Sequence, residues 1–439
     1  LGDDARLGRV KVLKIRDKIV FGLLFLFLLF VSLNRHSKHS AFEYHSEIFT
    51  DKAGYHVYLP AFFYYDMDGQ SMPKDIDKKT GTGFRIDGTK IITKYPIGVA
   101  LMEAPFFALA AAIDWMKGVQ ELKGYTSTHH TILSFSGAFY GTLGLLIFYL
   151  VGVRFWGLSA FRSYLLTFMV LGCSNLLYYI TRDPGMSHLY SFIIFSSLLY
   201  VFYSGLKKKL ISYRNIILVL FLLSMVVALR PLNLVFISFP LVYLLFQFRK
   251  ELPMLRFKKP LTGLTIGGVV ALIPIALQLV YNQYAYGDFL ADSYAGETFN
   301  RWDKLHLLEF WLGANNGVFI YIPILLLVFV WIANKFKKRS YSALIYLVYF
   351  LAISITYAAW WSPTLGCGFG HRGFTEHLAF FALPMAGLIK QWKPQKIKLA
   401  WVISFLIFIL FFLAQYNFDD CWRGDGAWDW VEFFGLFRI

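Results

Sequence analysis

Apolar runs long enough to cross a bilayer recur along the chain near 18–34, 131–152, 162–180, 188–205, 215–229, 232–248, 261–283, 314–334, 341–360, 377–390 and 398–415. Runs of this length and polarity bury themselves as helices in lipid or against one another. A twelfth, 96–117, is ambiguous. With 57% hydrophobic residues and a mean hydropathy of +0.53 over 439 residues, a water-soluble globular domain is excluded. The expected fold class is an all-α polytopic membrane protein.

The formal net charge of +16 raises nucleic acid as a partner, but in a polytopic protein a basic excess reflects lysine and arginine kept in cytoplasmic loops. No nucleic-acid partner is expected. Gly81-Thr82-Gly83-Phe84 lacks the following amphipathic helix of a nucleotide-binding loop. The first run follows Arg6, Arg9, Lys11, Lys14 and Arg16, and no small-residue cleavage site follows Leu33, so it reads as a retained span. Cys173, Cys367 and Cys421 have no metal-ligand spacing. A bridge between Cys367 and Cys421 stays open.

Basic clusters at Lys207-Lys208-Lys209, Arg249-Lys250 with Lys258-Lys259, Lys335 with Lys337-Lys338-Arg339, and Lys393 with Lys396 and Lys398 close every second span. The positive-inside rule puts them in the cytoplasm with the N-terminus. The span count up to Lys207 must then be even, which it is if 96–117 does not cross. That segment carries Pro96, Glu103, Pro105 and Asp114 and reads as re-entrant or surface-lying. The expectation is about 11 transmembrane helices: a cytoplasmic N-terminus 1–17, a membrane module 18–415 with a long first external loop over 35–130, and an external tail 416–439. In the alternative, 96–117 crosses and a shorter run such as 215–229 does not.

On this topology Glu251 is the only acidic residue in the internal loops after the first span, whereas the external side holds Asp51, Asp66, Asp68, Asp87, Asp183, Asp288, Asp292, Glu297, Asp303 and Glu376. Asp51 reads either as a catalytic base or as the cap of a following helix. Thr181-Arg182-Asp183-Pro184-Gly185 ahead of His188 reads as a site or a tight turn. Arg230 in Arg230-Pro231-Leu232-Asn233 either meets an anion or snorkels to headgroups. Trp360-Trp361 and the glycines leading to His371-Arg372 allow close backbone approach and offer donors to an anion. The aromatic residues from Tyr44 through Tyr55 to Trp361 suit interfacial anchoring and also stacking on sugar rings.

Taken in order, Asp51 with Gly54-Tyr55-x-x-Tyr58-Leu59-Pro60, Lys94-Tyr95-Pro96-x-Gly98 with Ala104-Pro105, Asp183, and Trp360-Trp361 with Gly366-x-x-Phe369-Gly370-x-Arg372 resemble the GT-C superfamily of integral membrane glycosyltransferases. The likeness is to bacterial relatives of the protein O-mannosyltransferases and lipid A aminoarabinose transferases. It implies juxtamembrane helices over 52–65 and 96–117, a polyprenyl-phosphate sugar as donor, and the bacterial cytoplasmic membrane as location. It also implies an acidic residue of the first external loop, here Asp51, at or beside the catalytic base, and Asp183 at the second acidic position. The family often has two adjacent acidic residues where this chain has Asp51-Lys52. Some members hold a divalent metal near these carboxylates, so a metal on Asp51 and Asp183 stays open, with His129, His130 and His188 as further ligands.

The function expected is inverting transfer of a sugar to an acceptor hydroxyl of a glycan, glycolipid or protein on the extracytoplasmic face. Asp51 takes the acceptor proton, with Asp183 as orienting, metal-binding or pKa-raising partner. A phosphate leaving near hydrocarbon needs fixed positive charge, for which Arg230, His371, Arg372, Arg182 and Lys94 are the candidates. Tyr55 and His188 complete the expected binding set. A transporter or flippase for a lipid-linked or anionic substrate is the alternative, and a structural subunit of a membrane complex a third.

Overall fold

The structure, a computed structural model, describes residues 13–294 and 296–438. Arg6, Arg9 and Lys11 of the basic N-terminal segment lie outside the described residues. The chain is helical almost throughout. It opens with α1 (Ile15–His36), the short α2 (Asp51–His56), α3 (Tyr58–Tyr64) and α4 (Ile76–Lys79), and a hairpin of β1 (Arg85–Asp87) and β2 (Lys90–Ile92). There follow α5 (Gly98–Met116), α6 (Ser127–Arg154), α7 (Ala160–Gly172), α8 (Leu176–Thr181) and α9 (Ser187–Lys208). After β3 (Leu210–Ser212) come α10 (Tyr213–Leu229), α11 (Leu232–Gln247), β4 (Arg256–Lys258) and α12 (Pro260–Tyr286). The last part holds α13 (Leu307–Leu312), α14 (Val318–Tyr321), α15 (Leu326–Lys337), α16 (Leu344–Ala358), α17 (Leu378–Ile389), α18 (Pro394–Asn417) and α19 (Trp430–Gly435).

Each of the eleven expected apolar runs falls on a helix or a broken pair. Seven helices among the described residues are long and apolar enough to cross a membrane: Ile15–His36, Gly98–Met116, Ser127–Arg154, Ser187–Lys208, Pro260–Tyr286, Tyr341–Ala358 and Pro394–Asn417. The run at 162–180 breaks between α7 and α8, where the Ser174 hydroxyl donates to the Val170 carbonyl at 2.6 Å and accepts from the Leu176 amide at 3.1 Å. A side chain that offers the backbone local partners competes with helix continuation. The run at 314–334 breaks where Pro323, which has no amide hydrogen, follows α14. The hydrophobic core is made largely of buried Tyr, Phe, Leu and Ile from α6, α8, α9, α16 and α17.

The two ends of the bundle differ in chemistry. At one end Lys207 donates to the Arg154 carbonyl at 2.9 Å, Arg162 donates to the Lys390 and Trp392 carbonyls, and the parallel pair β3–β4 aligns Leu210 with Arg256. At the other lie the start of α9, the end of α10 and the start of α17, which bring His188, Arg230 and Glu376 together. The segment 35–126 packs over this second end.

Helix α5 meets the length and composition of a span, and its acidic residues carry a different meaning from the one expected. Glu103 is buried, 3.4 Å from His56, and accepts the Tyr190 hydroxyl at 3.2 Å. Asp114 is buried and accepts the Thr126 hydroxyl at 2.6 Å, with His129 at 3.2 Å. Both carboxyls are buried and partnered inside the protein, Asp114 through one of its two oxygens, so neither would face lipid whichever way the helix lies. Gly98 starts α5 against the Ala228 carbonyl near the end of α10, where a Cβ would come within 2.4 Å. The helix then runs antiparallel along the first half of α6: Tyr140 donates to the Met102 carbonyl at 2.8 Å, and Phe107 lies 4.9 Å from the His129 ring.

Candidate active site

Close backbone approach sets the position of Asp51. Gly83 lies so near the turn before α2 that a Cβ would stand 1.7 Å from the Thr50 carbonyl, and the Thr50 amide donates to the Thr80 carbonyl at 2.8 Å. Gly54 in turn lets the Tyr95 ring lie against α2, and the Thr93 hydroxyl donates to the Gly54 carbonyl at 2.8 Å. The glycine-rich 81–83 segment is therefore a packing platform under α2. On it the Asp51 carboxylate accepts from the Tyr95 hydroxyl and from Arg372 Nη1, at 3.2 Å. A cap would spend that carboxylate on backbone amides, and its observed partners are side chains from distant parts of the chain.

Asp51 keeps about a third of its side chain open, 32%, with Arg372 at 21%. Burial raises the Asp51 pKa, but the Arg372 charge and the Tyr95 hydroxyl outweigh it and hold the carboxyl below the usual aspartate value. Lys94 pairs with Glu297 and lies over the Tyr95 and Tyr294 rings, at 5.4 and 5.6 Å. Tyr55 packs against Tyr95 at 4.6 Å and donates to the Ser187 hydroxyl at 3.2 Å. Tyr294 stands 6.2 Å from Trp360 and within electrostatic reach of Asp51, Arg372 and Arg230. Aromatic rings thus stand among Asp51, Arg372, Arg230 and the Lys94–Glu297 pair.

Arg230 ends α10 and is held from three sides. Its Nη2 donates to the Tyr357 hydroxyl at 3.0 Å, its Nη1 lies 3.1 Å from His188 Nε2, and its Nε is 3.6 Å from Glu376. Glu376 is fully buried, 2.8 Å from His188 Nδ1, and accepts from Asn233 at 3.1 Å. Burial pushes the Glu376 carboxyl up, but the His188 hydrogen bond and the Arg230 charge take it down to about 2. With Nδ1–H donating to Glu376, His188 presents Nε2 to accept from Arg230. The Arg230 side chain is 19% exposed.

The remaining sequence candidates sort differently. Asp183 is paired with Lys52 at 2.9 Å, so the departure Asp51-Lys52 sends two adjacent side chains to opposite partners. Arg182 is buried, donating to the Gln415 carbonyl and pairing with Asp420 at 2.7 Å, among contacts that hold the C-terminal tail. His371 is buried against Phe310, with Nε2 3.0 Å from the Pro363 carbonyl. Burial depresses its pKa to about 3, with Arg372 and Arg230 acting the same way, so it is neutral at physiological pH. His371 thus offers shape and a loop contact where positive charge was expected. His129 and His130 pair with Asp114 and Glu47. Asp51 and Asp183 belong to no group of three potential ligands within 4.8 Å among the described residues, and each already has a cationic partner.

Glu376, Tyr95, Tyr294 and Tyr357 were not singled out as binding residues by the sequence. Glu376 had a signal, four residues beyond Arg372 in Arg372-Gly-Phe-Thr-Glu376. The loop that carries Arg372 is fixed by Asn316, which accepts from the Gly370 amide at 2.8 Å and donates to the Thr364 and Gly366 carbonyls, each at 3.2 Å. Gly368 adopts φ +136 beside the Tyr179 hydroxyl, a conformation open to glycine. Cys367 and Cys421 are disulfide-bonded, which ties this loop to the tail.

A polytopic helical bundle with short helices packed over the end that bears the charged cluster defines the class of fold, and solved ArnT structures share it. ArnT from Cupriavidus metallidurans bound to undecaprenyl phosphate matches with a TM-score of 0.51 and 13% identity, over 91% of this chain and 64% of that one. ArnT from the same organism in the apo state matches with a TM-score of 0.50 and 13% identity, over 91% and 63%. The chain thus spans just under two thirds of the length of the structures it matches. No protein-family model matches the chain, and no curated protein matches it in sequence.

Proposed function

We propose that the chain is a membrane glycosyltransferase that moves a sugar from a polyprenyl-phosphate donor to an acceptor hydroxyl on the extracytoplasmic face, with inversion. The observation that carries this reading is the partly open Asp51 carboxylate held by Tyr95 and Arg372 at one end of the bundle, among Lys94 and Arg230. An ArnT structure described as bound to undecaprenyl phosphate shares the fold and supports the lipid-phosphate class of donor.

In the proposed step the acceptor oxygen attacks the anomeric carbon as its proton passes to Asp51. The bond from that carbon to the phosphate oxygen breaks, and the electron pair leaves on the phosphate. Arg372, Arg230 and Lys94 are cations with fixed partners, so charge on the leaving phosphate is met by groups that need little reorganisation. The four ion pairs Asp51–Arg372, Asp183–Lys52, Glu297–Lys94 and Glu376–Arg230 balance one another. An arriving phosphate therefore has to draw a cation from a carboxylate. Arg372 drawn toward phosphate weakens its hold on Asp51, which raises the basicity of Asp51 when donor is bound.

The test is transfer by the purified full chain in detergent, from a panel of polyprenyl-phosphate sugars to an extracted envelope fraction, with release of lipid phosphate followed alongside. The reading predicts sugar transfer and phosphate release in equal amounts from at least one donor. A lipid-phosphate sugar that is carried across vesicles without cleavage would replace it with the flippase reading.

A further inference from the structure

We infer a divalent-cation site, of zinc-type chemistry, where the segment after α1 meets the C-terminal tail. His39, Glu43 and His45 present ligand atoms that all lie within 4.8 Å of one another. His39 Nδ1 is 3.1 Å from Glu43 Oε1, and the two imidazole rings are 4.5 Å apart. A carboxylate from the far end of the chain stands beside this group and would reach it as a fourth donor by moving: Asp419 Oδ1 is 3.1 Å from His45 Nε2. Ligands about 2.0 to 2.2 Å from a tetrahedral zinc stand about 3.4 Å apart, close to the His39–Glu43 separation.

Two features fit a cation better than a plain polar cluster. His45 Nδ1 lies 2.6 Å from Asp420 Oδ2, the carboxylate–histidine arrangement that orients an imidazole and raises its basicity toward a metal on the opposite nitrogen. His39 Nε2 is buried and has no hydrogen-bond partner, so this ring is not placed by hydrogen bonds on both of its nitrogens. Two imidazoles and two carboxylates suit zinc, whereas magnesium and calcium favour all-oxygen sets. Of the nearby cations, Arg35 lies 3.2 Å from His45 Nδ1 and 3.6 Å from Asp420, leaving His45 Nε2 to the ion, and Arg423 takes the other oxygen of Asp419 at 2.6 Å.

The site is independent of the proposed glycosyl transfer. Its position gives it a structural task, because Cys421 is bonded to Cys367 in the loop that carries Arg372. An ion held by residues 39–45 and by Asp419 is a second clasp on the tail, fastening it to the first extramembrane segment.

The full chain, stripped with chelator and dialysed, is titrated with zinc by calorimetry and with cobalt by visible absorption. The expected result is one zinc per chain and a tetrahedral cobalt spectrum, both lost in His39→Ala/His45→Ala. Asp420→Asn is expected to weaken zinc binding about 10- to 100-fold by loosening His45. Glu43→Gln changes a side chain that is 45% exposed and leaves folding intact, so weaker zinc binding there supports the site even if the double variant does not fold. No zinc binding by the wild type, or equal binding in wild type and Glu43→Gln, overturns it.

Discussion

At the scale of single residues, the contrast between Asp51 and Glu376 separates chemistry from support. Asp51 is partly open and its pKa is depressed by Arg372 and Tyr95. It is therefore ionised at neutral pH, and its loss as a base begins only as pH falls through a value below the ordinary 3.8. The pH profile of kcat/KM, which reports the donor-free enzyme, should carry no inflection from Asp51 between about pH 5 and 8, and an acidic limb near pH 6 in that profile would contradict the assignment. Glu376 is closed to solvent and is held down to about 2. A carboxyl depressed in the folded state stabilises the fold above its unfolded pKa and loses that contribution as pH falls through the folded one. For Glu376 the window runs from about 4.5 down to about 2. Thermal unfolding of wild type should weaken across that window and that of Glu376→Gln should change less. Glu376→Ala, which strands Arg230 and His188, should cost about 3 to 5 kcal/mol.

At the scale of elements, two glycine contacts carry the position of α2. Gly83→Ala places a methyl against the Thr50 backbone, where nothing flexible can yield. It should cost about 1 to 3 kcal/mol or displace α2, measurable as a lower melting temperature together with lost turnover. Gly88→Ala, in open space but at φ +61, should cost less and leave turnover unchanged. Element legibility in the sequence followed the same physics. Long apolar runs announced helices because length and polarity suffice for that. The break at Ser174 was hidden because a serine inside an apolar run differs from a continuing helix only through its hydrogen bonds to Val170 and Leu176. Glu103 and Asp114 were read as lipid-averse, and their buried partners His56, Tyr190, Thr126 and His129 come from other parts of the chain. For the site, Asp51, Lys94, Arg230 and Arg372 are nominated by their place in external segments and by the family resemblance of the motifs around them. The roles of Arg182 and His371 were not legible, because only the fold reveals Asp420 and Gln415 around the one and the Phe310 packing of the other.

At the scale of the whole molecule, the basic loops gather at one end of the bundle and the Asp51 cluster at the other. We propose that this polarity is the membrane orientation, with α5 wholly on the Asp51 side because it runs along the first half of α6 and meets the end of α10. Single cysteines replacing Asp87 and Trp115, before and at the end of α5, in a Cys173→Ser background with the native disulfide kept, should react with an impermeant maleimide from the same side. Labelling of the two from opposite sides would mean that α5 crosses. The account depends most on one comparison, wild type against Asp51→Asn, with donor binding and lipid-phosphate release measured on the same preparations. The prediction is donor binding within a few-fold of wild type and release slowed about 100- to 10,000-fold, the span expected for loss of a general base. Release at the wild-type rate by a folded Asp51→Asn would contradict the assignment of Asp51 as the base.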